Sequence, residues 1–123
     1  MRKIEEKIID TIKDLNGTEK TVTLSARDVI KSRDNMVNVY LWGNKIATIE
    51  FCKESVLSVT FSFCGYTTNT TQSRLNAILT YLLPYPVFCR FRNGVIQCLN
   101  GQVNVIDSEK WYKISADNIL SVL

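Results

Sequence analysis

The stretch that most constrains this chain is Cys64 to Pro84, CGYTTNTTQSRLNAILTYLLP, in which a strand ends, a threonine-rich turn opens a helix and a proline stops it. Leu75, Ile78, Leu79 and Leu82 recur at i, i+3, i+4 and i+7, so they share one stripe of a helix with about 3.6 residues per turn. Asn69 suits the N-cap, with Gln72 three residues on as an Asn variant of the capping box, and Thr70 or Thr71 can cap one or two residues later. Pro84 has no N–H to give and pushes Leu83 out of helical angles, so the predicted helix covers residues 69–83. Arg74 and Asn76 fall on opposite flanks of the leucine stripe, at the boundary between core and water.

Before this helix the period changes to two. Val37, Val39 and Leu41, then Ala47, Ile49 and Phe51, then Leu57, Val59, Phe61 and Phe63 occupy alternate positions, as one buried face of a β-meander over residues 36–64 requires. Setting Leu41 opposite Ala47 and Phe51 opposite Leu57 calls for three-residue loops at Gly43-Asn44-Lys45 and Lys53-Glu54-Ser55, because a two-residue loop flips one strand's faces. The other face then carries Asn38, Tyr40, Trp42, Thr48, Glu50, Ser58, Thr60 and Ser62, and meets water or a partner.

After the helix, Asn93-Gly94 is a strong hairpin signal and Asn100-Gly101 repeats it seven residues later, predicting a second meander over residues 87–114. Two-residue loops at both sites pair Phe91 with Ile96, Cys89 with Cys98, and Cys98 with Val103. The apolar face becomes Val87, Cys89, Phe91, Ile96, Cys98, Val103 and Val105, with Arg90, Arg92 and Gln97 projecting together from the opposite one. Trp111 to Ile114 reads as an edge strand, and Ser115 to Leu123 as a short capped helix or tail. At the other end of the chain, Ile4, Ile8, Ile12 and Leu15 make an amphipathic helix within residues 1–17, closed by Asn16-Gly17. Its Glu5, Glu6, Lys7, Lys13 and Asp14 read as a solvated face. Thr21 to Leu24 alternates as a short strand does, while Ser25 to Asn35 carries no decisive pattern. The whole is an α+β fold: two antiparallel meanders, a central amphipathic helix packed on the sheet, and an N-terminal helix.

A chain of 123 residues suits a single domain, 1–123, able to bury about two thirds of its unfolded surface around one core. Its formal charge of +3 does not by itself indicate nucleic acid, which calls for a strongly basic domain or a clustered basic face. Cys52, Cys64, Cys89 and Cys98 form no CxxC, and there is no histidine to complete a zinc set, so neither a metal nor another cofactor is expected. A Cys89–Cys98 disulfide is geometrically conceivable, but reduced, mostly buried thiols in a cytoplasm are the expectation. The charged start MRKIEEKIID shows no secretory signal, and nothing approaches a membrane span.

Catalysis lacks its usual parts. Without histidine, general acid–base chemistry loses its commonest agent, and no base stands ready to activate a Cys or Ser nucleophile. Glu50 is the only acid in the first meander's strands, no carboxylate pair is spaced as a glycosidase or metal site requires, and there is no Gly-rich phosphate loop. The expectation is a binding protein with no catalytic residue. Two constellations are candidates for its surface. In the first, Tyr66, Thr68, Asn69, Thr70 and Thr71 at the helix start, with Arg74 and with Arg90 or Arg92 alongside, offer N–H groups, hydroxyls and guanidiniums to a phosphate or other anion. The same threonines, Thr67 included, can instead simply cap the helix and satisfy its turn, and Arg74 can instead clamp a backbone carbonyl. In the second, Tyr40, Trp42, Arg90, Arg92, Trp111 and Tyr112 mix aromatics with arginines on strands as sheet-based nucleic-acid binders do, unless Trp42 and Trp111 merely cover the sheet.

VYLWGNKIATI (39–49), CGYTTNTTQSRLNAIL (64–79), RFRNGVIQCLNGQ (90–102) and WYKI (111–114) together resemble a widespread family of small bacteriophage proteins. In that family a strand ending in Cys-Gly-Trp leads into a Thr-x-Thr-Thr-x-x-Arg-Leu-Asn-Ala helix. The likeness runs from Val37 to Ile114, with Tyr66 standing where Trp is usual and the first 35 residues peculiar to this chain. It implies phage origin and expression in the bacterial host cytoplasm. Two functional readings then stand: a phage accessory protein that binds and diverts a host protein or a nucleotide-type anionic signal, and a small nucleic-acid-binding module. Neither involves a membrane, and self-association into a homo-oligomer is compatible with both.

Overall fold

The structure, a computed structural model, describes residues 2–123. Helix α1 (Lys3–Leu15) is followed by β1 (Thr21–Thr23), β2 (Asp28–Arg33), β3 (Met36–Leu41), β4 (Asn44–Cys52) and β5 (Ser55–Phe61). Helix α2 (Asn69–Leu82) comes next, then β6 (Phe88–Arg92), β7 (Val95–Leu99), β8 (Val103–Ile106), β9 (Tyr112–Ser115) and β10 (Leu120–Val122). The strands form an antiparallel seven-stranded sheet in the order β1-β2-β3-β4-β5-β9-β10 and a three-stranded sheet β6-β7-β8. This is the expected α+β arrangement of meanders, N-terminal helix and central helix.

One core joins all of it. Ile8 and Ile12 of α1, Leu75, Ile78 and Leu79 of α2, Ile49, Phe61 and Ile114 of the large sheet, and Cys89, Ile96 and Cys98 of the small one lie in a single buried cluster. Helix α2 also closes the edge of the small sheet with side chains. Asn76 donates to the Cys89 carbonyl (2.9 Å) and accepts from the Cys89 N–H (2.6 Å), while Gln72 donates to the same carbonyl (3.2 Å) and Thr80 to that of Val87 (3.2 Å). On the far side, Asn100 and Asn118 exchange side-chain-to-carbonyl bonds, and the Tyr85 hydroxyl donates to the Ser115 carbonyl, holding the small sheet to the β9–β10 end.

The turns differ from expectation in a way that preserves the faces. Both β3–β4 and β4–β5 close with two-residue turns, Trp42-Gly43 and Lys53-Glu54, and each register then slips by one at a bulge. Ile46 is the extra residue in β4, so Val39 faces Ala47 and Val37 faces Ile49. In β5 the extra residue is Leu57, which the bulge leaves 45% exposed instead of in the core, while Val56 faces Phe51. At β7–β8 the error is of the other kind. Leu99 pairs with Val103 across a three-residue loop, not the two-residue loop expected, and the one-residue slip turns Val103 and Val105 outward and Ile106 inward. The Trp111–Ile114 segment is no edge of the second meander: β9 pairs with β5, Tyr112 facing Phe61 and Ile114 facing Val59. The chain after Ser115 is neither helix nor tail but turns back as β10. The undecided Ser25–Asn35 segment supplies β2, which pairs with both β1 and β3.

Arg74 is buried, 1% exposed, and not at a boundary with water. Its Nε donates to Asp28 Oδ1 at 2.8 Å and its Nη2 to Oδ2 at 3.4 Å, while Nη1 reaches Glu5 Oε2 at 3.1 Å. Glu5, expected on a solvated face, is 4% exposed, and Asp28 1%. The Ser73 hydroxyl also donates to Glu5, and the Ser25 hydroxyl to Asp28 Oδ2 (2.6 Å). Burial alone would lower the Arg74 guanidinium, but the hydrogen bonds and negative charge of Asp28 and then Glu5 raise it above its ordinary value. Three elements distant in sequence thus meet at one ion triad, and no buried side-chain nitrogen or oxygen among the described residues lacks a partner.

Removing one member of such a triad leaves an uncompensated buried charge, so Arg74→Ala is expected to lower unfolding free energy by about 3–5 kcal/mol. Leu79→Ala, which empties a fully buried site, is expected to cost about 2–5 kcal/mol. Denaturant titration checks both, and an unchanged midpoint for either would remove that side chain from the interior.

Candidate functional site

The Tyr66–Thr71 segment is held from three sides. Cys64 and Gly65 both take left-handed angles (φ 54° and 77°), so the Tyr66 N–H reaches back to the Phe63 carbonyl at 2.8 Å and β5 reverses into the approach to α2. A side chain at position 65 would be strained there, and its Cβ would come within 3.8 Å of Glu109. The Gly65 N–H donates to the Ser108 carbonyl (2.8 Å) and the Cys64 thiol to that of Lys45 (3.1 Å), tying the turn to the β8–β9 loop and to β4. The N-cap of α2 is Thr68, one residue earlier than Asn69: its hydroxyl accepts from the Thr71 N–H at 3.2 Å and lies 3.0 Å from the Thr71 hydroxyl. Thr68 wins because its extended backbone (φ −99°, ψ 156°) aims the hydroxyl at the first free N–H groups, as a cap requires.

Beside this turn opens a cleft of about 560 Å³. Leu41 and Ile46, both buried, and Thr71 form part of its lining, Asn44, Thr68 and Thr70 add polar atoms, and Trp42 and Tyr66 stand exposed at 66% and 53%. The β3–β4 turn explains Trp42: with Trp42 at φ 52° and Gly43 at φ 79° the chain makes a type I′ reversal, which lifts the indole off the sheet toward the helix start. Five of the sequence-predicted residues therefore converge, Trp42, Tyr66, Thr68, Thr70 and Thr71, drawn from both of the constellations that the sequence presented separately. Leu41, Asn44 and Ile46 were not foreseen as lining. Leu41 read as core and Ile46 had no assigned face, and the bulge that brings Ile46 to the cleft depends on a register that alternation alone does not reveal.

The remaining candidates lie elsewhere. Arg74 is taken up by Glu5 and Asp28, so the guanidinium expected beside the threonines is not presented to the cleft. Asn69 lines a separate open groove of about 400 Å³ with Glu5, Gln72 and Ser73. Arg90 and Arg92 sit on β6, Arg90 bonded to Gln97 at 2.9 Å, and neither lines the cleft. Tyr112 is a core residue, its ring 6.0 Å from that of Phe61 and its hydroxyl accepting from the Asp107 N–H at 2.6 Å. Tyr40 and Trp111 lie across the large sheet, each with a lysine ammonium over its ring, Lys31 at 4.9 Å and Lys45 at 5.6 Å.

Chemically, the cleft lining holds no charged side chain and no thiol among the described residues. It offers aromatic faces, an apolar floor and hydroxyls, which suit a planar or apolar group with one polar edge. Cys89 and Cys98 face one another in the core as free thiols, and the Cys89 thiol is pushed up by its hydrogen bond to Cys98 and by burial. No group of three or more His, Cys, Asp or Glu able to hold a metal occurs among the described residues, and no helix there is long and apolar enough to cross a membrane.

Comparison with curated proteins and with solved structures gave no match. A family model described as Kyanoviridae Gp96 protein matches residues 1–116, taking in the N-terminal 35 residues as well as the stretch from Val37 onward. With nearly the whole length matched, the chain belongs to the Kyanoviridae Gp96 protein family, a family of phage proteins.

Proposed function

We propose that this protein is a non-catalytic phage accessory protein that captures and diverts a component of the bacterial host, in counter-defence or host takeover, and that it does so at the Trp42–Tyr66 cleft. The observation that carries this reading is the pairing of two exposed aromatics with an uncharged, apolar-floored cavity. Exposed Trp and Tyr beside a pocket are the residues that most often dominate the energy of a protein interface. Because Arg74 is engaged by carboxylates, a host protein inserting an apolar or aromatic side chain fits the lining better than a nucleotide, whose phosphates would meet only hydroxyls and the helix start. The nucleotide-type anion remains the second reading, favoured by Thr68, Thr70 and the positive end of the α2 dipole.

Affinity capture from infected cells, analysed for both proteins and nucleotides, tests this. A protein is expected to be retained, with affinity changing little between about 50 and about 200 mM salt, unlike a phosphate contact. Trp42→Ala is expected to weaken retention by about 2 kcal/mol or more while leaving the fold intact, since the indole is solvent-exposed. Retention unaffected by Trp42→Ala and Tyr66→Ala together would remove the cleft from the account, and retention of a nucleotide instead would favour the second reading.

The non-catalytic half of the proposal has its own check. Glu50, Asp107 and Glu109 are the candidate acids, and their combined replacement by alanine is expected to leave the biological effect unchanged in a folded protein. A turnover that disappears with any one of them would contradict it.

A further inference from the structure

The outer face of the large sheet, opposite the helices, carries an ordered row of side chains. Tyr40 and Lys45 are direct cross-strand partners on β3 and β4. The Lys31 ammonium on β2 lies 4.9 Å from the Tyr40 ring, and that of Lys45 lies 5.6 Å from the Trp111 ring, just ahead of β9. Cation, aromatic, cation and aromatic therefore alternate across the sheet. Trp111 takes this side because the next residue, Tyr112, turns inward onto Phe61.

A second row runs parallel to it. Lys31 pairs with Asn38, Asn38 with Thr48, Thr48 with Thr60, and Thr60 with Lys113. Its two lysines are four strand spacings apart, about 19 Å, with only amide and hydroxyl groups between them. Neither row contains a carboxylate. Glu50 lies one row further, between Met36 and Ser58, and the exposed Glu19, 3.9 Å from Arg33, lines an open groove with Lys31, Asn38 and Tyr40.

We propose that this face binds single-stranded nucleic acid, with bases stacking on Tyr40 and Trp111 and phosphates taken by Lys31, Lys45 and Lys113. Charge complementarity selects the occupant: lysines at both ends and in the middle of two rows without a carboxylate match a polyanion that lies across the strands, and the one acid lining the groove at the Lys31 end, Glu19, lies beside Arg33. The aromatics select the single strand, since a duplex keeps its base faces stacked and out of reach. On binding, the ammonium groups now over the rings move to phosphates and the ring faces pass to bases. None of these residues lines the Trp42–Tyr66 cleft, so the proposal is independent of the function assigned to it.

Fluorescence anisotropy with a labelled oligothymidine of about a dozen nucleotides, beside a duplex of the same length, decides the matter. Three phosphate contacts predict a log–log salt slope of about −2, so affinity should fall about tenfold or more between about 50 and about 200 mM salt. Lys31→Ala and Lys113→Ala should each weaken binding and flatten the slope by about 0.7. Tyr40→Leu and Trp111→Leu should each weaken it about tenfold with the slope unchanged. Trp42→Ala should leave oligothymidine binding as it was. Failure to bind at about 50 mM salt, equal or tighter binding of the duplex, or full affinity in a folded Tyr40→Leu, Trp111→Leu double variant would each overturn the proposal.

Discussion

The Arg74 triad is the constraint on which the arrangement of this protein depends. A guanidinium cannot be buried alone, and the two carboxylates that bond to it come from α1 and from the segment opening β2, neither of which is near α2 in sequence. Desolvating three charges is costly, and their attraction offsets that cost only where geometry and extra hydrogen bonds are good. Here Asp28 presents both oxygens to the guanidinium, and serines 25 and 73 supply further donors. The triad therefore acts chiefly as a specification. The three charges meet where α1, β2 and α2 come together, and a packing that displaces one of these elements from the other two separates a buried charge from its partner.

This interior use of Arg74 shapes the surface as well. With the guanidinium turned inward, the helix start keeps only hydroxyls and its own N–H groups, and the neighbouring cleft becomes uncharged. The β3–β4 turn adds the rest. A two-residue I′ reversal sets Trp42 over the helix start, and the bulge that restores sheet alternation after it delivers Ile46 to the floor. One local device thus supplies both an exposed aromatic and the apolar surface beside it.

Much of the fold was legible because it rests on local periodicity. The stripe from Leu75 to Leu82, the alternation through β3 to β5 with the exception of Leu57, and the Asn93-Gly94 hairpin each reflect a single element's need to bury one face, and each appears where expected. What was not legible depends on partners far away in the chain. Glu5 among charged neighbours gives no sign that it will be buried, because the reason is Arg74, 69 residues on. The β9 segment looked like an edge because its partner, β5, precedes it by a whole helix and a three-stranded sheet. Val103 and Val105 turned outward because Asn100-Gly101 takes one more residue into its loop than Asn93-Gly94 does, a difference that the repeated dipeptide hides. Of the candidate site, residue types were legible but grouping was not. Trp42 joined the threonine turn, Tyr40 and Trp111 went to the outer face, and Tyr112 went to the core.

Arg74 and Asp28 form one interior unit, and a double-mutant cycle across them measures their dependence on one another most directly. Unfolding free energies of Arg74→Ala, Asp28→Ala and the double variant give the coupling between the two side chains. A unit of this kind predicts a coupling of about 1–3 kcal/mol, the double variant losing much less than the sum of the singles. Additivity within about 0.5 kcal/mol would show that the two side chains do not depend on one another, and would contradict the account.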